Sequence, residues 1–99
     1  MDYTYQLLKA FAKHHVQVSL DYNHDYGIDH RSGWSIVVNG SVVAQLVETP
    51  WDASVAALRY LDASETLADK AADIINDFLE SVPGFDSMCI QQQVFGARK

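Results

Sequence analysis

The chain is poor in the residues that punctuate or staple a fold: one cysteine, two prolines and five glycines in 99 residues. Cys89, as the single cysteine, has no intramolecular partner, and a reducing compartment is its simplest setting. No apolar run approaches the roughly 18 residues of a transmembrane helix. Met1-Asp2-Tyr3-Thr4 offers neither the basic nor the apolar region of a secretion signal. A cytoplasmic protein is therefore expected. Basic residues are also few: seven Lys and Arg against thirteen Asp and Glu, for a formal charge of −6. That balance disfavours nucleic acid and anionic membranes as direct ligands and favours a basic partner. Missing too are a Gly-x-Ser-x-Gly elbow and a phosphate-binding glycine loop. The expectation is a non-enzymatic protein without a cofactor.

What is present suits one globular domain over residues 1–99. The hydrophobic content is 48% and the aromatic content 11%, enough for a core and unlike a disordered chain. At this length the core forms with little margin. There is no linker and no internal repeat.

Asp2 can cap a first helix running to about His14, with Leu7, Leu8 and Phe11 as its apolar stripe. Val16, Val18, Leu20 and Tyr22 alternate with Gln17, Ser19 and Asp21, which predicts a strand with one buried face. Residues 23–33 read as a polar loop. Trp34–Val38 and Val42–Val47 are β-rich and flank Asn39-Gly40, a strong hairpin signal. A two-residue turn pairs Ile36 with Val43. A three-residue loop instead puts Trp34, Ile36, Val38, Val42, Ala44 and Leu46 on one face, which segregates apolar residues better. Thr49-Pro50-Trp51-Asp52 reads as a capping box with proline at the first helical position, opening a helix to about Leu61. A break near 62–64 separates it from a second helix, which Val82-Pro83-Gly84 ends. Met88–Phe95 reads as a fourth, edge strand, with Cys89 buried and inert in it. Trp34 and Trp51 are expected to be packing residues. The order of elements predicts an α+β fold in two layers: an N-terminal helix, a three-stranded antiparallel sheet with an optional C-terminal strand, and two C-terminal helices.

The charge is unevenly spread. Residues 62–86 hold seven acids and one base, while the other 74 residues hold six of each. Six of those acids, Asp62, Glu65, Asp69, Asp73, Asp77 and Glu80, recur in steps of three and four. On one continuous helix they would occupy an arc of roughly 120°. Opposite them lie Leu67, Ala71, Ile74, Ile75, Phe78 and Val82. Like charges at i,i+4 each cost about 0.2–0.5 kcal/mol. Only Lys70 interrupts the stripe, so helix stability does not explain it. The row would extend about 27 Å with one charge per roughly 5 Å, against one phosphate per about 3.4 Å along a DNA strand. Such a row suits a groove of Lys and Arg that normally holds a nucleic-acid backbone. A solvated face that keeps a small protein soluble is the plain alternative.

The segment from Asp21 to Ser32 partly fits a calcium loop. Asp21, Asn23 and Asp25 stand at its first, third and fifth positions, but Tyr26 replaces the glycine and Ser32 the bidentate glutamate. His24 and His30 with Asp25 and Asp29 offer transition-metal donor types at no familiar spacing. A polar turn explains the same residues. The first alternative to the acidic decoy, ahead of a metal or calcium protein, is a homodimer or general interaction module using the hairpin or the 88–95 strand.

The order of elements over residues 2–81 and the acids of residues 62–80 resemble the small acidic anti-CRISPR proteins encoded by phages. That resemblance is one of element order and charge, with no shared residue motif. It implies inhibition of an RNA-guided nuclease or its surveillance complex, within a host cell, by a mimic of nucleic acid. The partner would then be a basic nucleic-acid-binding protein such as a CRISPR effector. Double-stranded RNA-binding domains share the helix–three-strand–helix order but need a basic helix start, where this chain has Asp62, Glu65 and Asp69.

Overall fold

The computed structural model describes residues 3–24 and 32–96. Leu7, Ala10 and Phe11 bury one stripe of helix α1 (Thr4–Lys13). Its N-cap is Tyr3, without a side-chain capping bond. The expected cap, Asp2, lies outside the described residues. The helix ends in a two-bond cap: His15 donates its N–H to the Ala12 carbonyl, and Val16 to that of Phe11. His15 takes the left-handed conformation this needs, with φ 62°, where glycine is usual. Val16 is thereby buried against the cap and is not part of the strand that follows.

Strand β1 (Val18–His24) pairs antiparallel with β2 (Ser32–Val38), residue for residue, from Val18 opposite Val38 to His24 opposite Ser32. Val18 and Leu20 pack on the core, but Tyr22 remains 57% exposed. The expected loop 23–33 is thus shorter, because Asn23, His24, Ser32 and Gly33 belong to strands; residues 25–31 lie outside the described set.

Asn39 and Gly40 form the two-residue turn to β3 (Ser41–Val47), both at positive φ, 50° and 86°. Asn39 also exchanges two bonds with Gln17: its side-chain oxygen accepts from the Gln17 N–H, and its own N–H donates to the Gln17 carbonyl. Beside the turn Val37 faces Val42, in the two-residue register. An irregularity then brings Ile36 opposite Ala44, as the longer loop would, and a second brings Trp34 opposite Val47. Both expected registers therefore occur in succession. The simple face of Val42, Ala44 and Leu46 does not survive. Val42 is 58% exposed, while Val43, Ala44 and Val47 pack on the core. Bulges add residues to one strand and so swap its faces.

The second irregularity involves Leu46, whose φ is 55°. It brings the β3 backbone onto Gly33. A Cβ on Gly33 would stand 2.5 Å from the Leu46 carbonyl carbon and 2.8 Å from the Val47 oxygen.

Helix α2 (Pro50–Ala63) starts as expected: Pro50 is its first residue, and Thr49 Oγ1 accepts the Asp52 N–H at 3.0 Å. It buries Ala53, Val55, Ala57, Leu58 and Leu61 over the sheet, chiefly on β2 and β3. Buried Ser54 satisfies its hydroxyl on the Pro50 carbonyl. Residues 64–67 turn the chain into α3 (Ala68–Ser81), which packs on α1 and α2 through Ala71, Ile74, Ile75 and Phe78.

The C-terminal segment corrects an expectation. Residues 87–95 are helix α4 (Ser87–Phe95), not a fourth strand. Asp86 caps it by accepting the Met88 N–H, and Ile90 and Val94, one turn apart, are its buried residues. Three consecutive glutamines suit helix better than strand. Cys89 consequently lies exposed on α4. Among the described residues the fold is α+β, a three-stranded sheet of order β1-β2-β3 with four helices around one apolar cluster.

Two substitutions test this backbone. Gly33→Ala should lose about 1–3 kcal/mol, because the new methyl meets rigid backbone. His15→Gly should gain about 1 kcal/mol by relieving the left-handed cost. Urea melts of the two variants read both, with opposite signs.

Candidate functional site: the carboxylate face of helix α3

The break after Ala63 divides the six expected carboxylates. Asp62 sits half-buried in the last turn of α2, and Glu65 lies exposed in the connecting turn. Only Asp69, Asp73, Asp77 and Glu80 share α3. The continuous six-residue row of the sequence reading is therefore a four-residue row, about 16 Å long at 1.5 Å per residue, with Glu65 near its start.

The four acids cover an arc of roughly 80°, on the side away from the buried residues. Asp69, Asp73 and Glu80 are exposed, whereas Asp77 lies at the edge nearest α1 and is half-buried. Its carboxylate meets the imidazole of His14 and stands 3.7 Å from Lys13 Nζ. Beside it Lys70 Nζ donates to the His14 carbonyl at 2.9 Å. Lysine at a helix C-terminus satisfies an orphan carbonyl and opposes the negative end of the dipole. Asp77 and Lys70 thus fasten the end of α1 to α3.

That use of Lys70 matters for the others. Arg59, the other nearby base in sequence, donates Nε to the Gln93 carbonyl of α4 at 2.6 Å. Among the described residues, no ion pair or hydrogen bond is made by the carboxylates of Glu65, Asp69, Asp73 or Glu80. Asp69 lies in the first turn of α3, where a negative charge is favoured. Glu80 lies in the last turn, where it is disfavoured, and no base accompanies it there. Asp73 has like charges one turn to either side, Asp69 and Asp77. The exposed neighbours Ala72 and Asn76 on the far flank carry no charge. The row is a local electrostatic cost that packing overcomes.

The seam toward α1 is of mixed charge. A shallow groove of about 280 Å³ runs along it, lined by Gln6, Lys9, Lys13, Asp77 and Ser81. It bounds the acidic face on one side.

The metal candidates come out differently. Asp21 and Asn23 lie in β1, opposite Ser35 and Gly33, and the Asn23 amide donates to Ser35 Oγ at 2.9 Å. His24 ends the same strand. A calcium loop wraps its ligands around the ion, whereas these residues are held in a paired strand. Asp25, Asp29 and His30 lie outside the described residues. Among the described residues no three His, Cys, Asp or Glu side chains gather as a metal site would.

Some participants were not visible beforehand. Nothing in the spacing of His14-His15 points to a contact with Asp77, 63 residues away. Nor does the sequence single out Gln93, whose side-chain oxygen accepts from Trp51 Nε1 while its carbonyl accepts from Arg59. Searches against protein-family models, curated proteins and solved structures find no match for this chain. Among the described residues no helix is long and apolar enough to cross a membrane.

The division of labour along α3 is measurable. Asp77→Ala should destabilise the fold by about 1 kcal/mol, since it strips His14 of its partner at a half-buried seam. Asp73→Asn should be neutral or stabilise by about 0.2–0.5 kcal/mol through relief of like-charge pairs. Thermal melts at low salt compare the two.

Proposed function

We propose that the protein is a non-enzymatic acidic decoy for a basic nucleic-acid-binding protein, in the manner of the anti-CRISPR proteins. One observation carries this reading. Asp69, Asp73 and Glu80 face water on one side of α3, without partners among the described residues, while Lys70 and Arg59 are engaged elsewhere. Asp69, Asp73 and Glu80 follow one another along a rigid helix at about 6 and 10 Å, with Asp77 between the last two, a charge density lower than the one phosphate per about 3.4 Å of a DNA strand but of the same order. They therefore suit a groove of Lys and Arg that holds nucleic acid, such as that of a CRISPR effector.

The mechanism is electrostatic occupation of the groove. A helix fixes the backbone that carries the charges, so only their side-chain rotamers remain to be ordered on binding. Long-range attraction between a chain of charge −6 and a basic groove speeds the encounter. Salt screens that attraction over about 8–10 Å, so affinity falls as ionic strength rises. Asp77 contributes to the field but is also committed to the α1 seam. Glu65, at the start of the row, extends it. Asp62, half-buried on α2, is a weaker candidate than the sequence suggested.

Replacing Asp69, Asp73 and Glu80 by Lys tests the proposal. Immobilised wild type should retain a protein from host lysate that duplex DNA or added salt releases. The triple variant, with an unchanged thermal midpoint, should lose it. Equal capture by wild type and variant removes the acidic row from the mechanism.

A further inference from the structure

We propose that a second copy of this chain pairs along the outer edge of β1, joining two three-stranded sheets into one of six strands. The two edges of the sheet are built differently. Edge β3 is irregular at two places, carries Leu46 in the left-handed region, and lies under α2. These are devices by which proteins prevent strand addition. Edge β1 has none of them. It keeps one register with β2 over all seven residues and contains no proline, lysine or arginine. Among the described residues no strand pairs with its outer side. The helices also cover it least, so Leu20 is only half-buried and Tyr22 is 57% exposed, its ring edge-on to Trp34 at 5.2 Å.

The pattern of β1 selects its own copy as the occupant. Val18, Leu20 and Tyr22 point to one face, and Ser19 and Asp21 to the other. That order reads the same in both directions about Leu20. A two-fold axis through Leu20, normal to the sheet, sets Leu20 opposite Leu20 and Val18 opposite Tyr22 of the second copy. On the other face it sets Ser19 opposite Asp21. Apolar thus meets apolar, and no like charges oppose. An axis through Asp21 would set two aspartates face to face, which is destabilising. Helix α3 packs on α1 and α2 rather than on the strands, so its acids stay clear of this edge and available to another partner. The inference stands apart from the decoy reading and responds oppositely to salt. Screening the −6 charge of each copy strengthens the dimer, whereas it weakens capture of a basic partner.

Sedimentation equilibrium of the full chain, from micromolar to millimolar, tests the register. Wild type should show a reversible dimer that tightens with salt. Ser19→Asp puts two like-charged pairs across the axis and should weaken it by roughly tenfold, while Ser19→Lys makes two opposite pairs and should tighten it by a similar factor. Ser41→Asp and Ser41→Lys change net charge equally at an exposed position on the hairpin and should behave as wild type. Thermal melts confirm that all four variants fold. A monomer at every concentration overturns the proposal. So does a dimer that responds alike to substitutions at Ser19 and Ser41, which would place the contact elsewhere.

Discussion

Phe78 is the side chain on which the helical packing converges. It is fully buried, and three aromatic rings surround it: Tyr3 at 6.4 Å, Trp51 at 5.7 Å and Phe85 at 5.0 Å between centroids. Each ring comes from a different place, the start of α1, the first turn of α2 and the turn before α4. Tyr3 and Phe85 present the edge-to-face geometry that aromatic quadrupoles favour. A single residue of α3 thus registers the other three helices. Trp51 extends the arrangement through its bond to Gln93, which brings α4 against α2.

That anchoring explains how α3 tolerates its outer face. A helix with unrelieved like charges and an acidic last turn is a poor helix in isolation. Ala71, Ile74, Ile75 and Phe78 are buried on its other side, and burial of a large apolar side chain contributes about 1.5–3 kcal/mol. That outweighs a few tenths per like-charge pair, so the acids need not contribute to folding. Asp77 is the exception. Its position beside α1 turns the same residue type into a fastener, and Lys70 completes the seam from the backbone side. One helix therefore carries two kinds of carboxylate, distinguished by roughly 40–80° of rotation about its axis.

The sheet meets a comparable conflict by distortion. Its middle strand is regular against β1 but irregular against β3, and Gly33 is the position that admits the distorted backbone. Without a side chain there, the Leu46 carbonyl can approach within the space a Cβ would fill. The outcome is asymmetry: one edge irregular and covered, the other in unbroken register.

Local signals settled much of this in advance. The type of every element before residue 82 follows from periodicity and punctuation, because Thr49-Pro50, Asn39-Gly40 and Pro83-Gly84 act through their own backbone preferences. The acidic arc and apolar arc of α3 follow likewise from helical spacing. The C-terminal segment is not legible in this way, since Met88–Phe95 has short-range β character and its burial on Ile90 and Val94 depends on packing against α2 and α3. The hairpin faces were also beyond the sequence, because bulges arise where a strand meets its neighbours. So, too, was the sorting of the acids into Asp77, bound to His14, and Asp69, Asp73 and Glu80, left to water. Charge and spacing are properties of the chain. Which carboxylate finds a partner depends on what packs beside it, and contacts across 63 residues are made only when the helices are assembled.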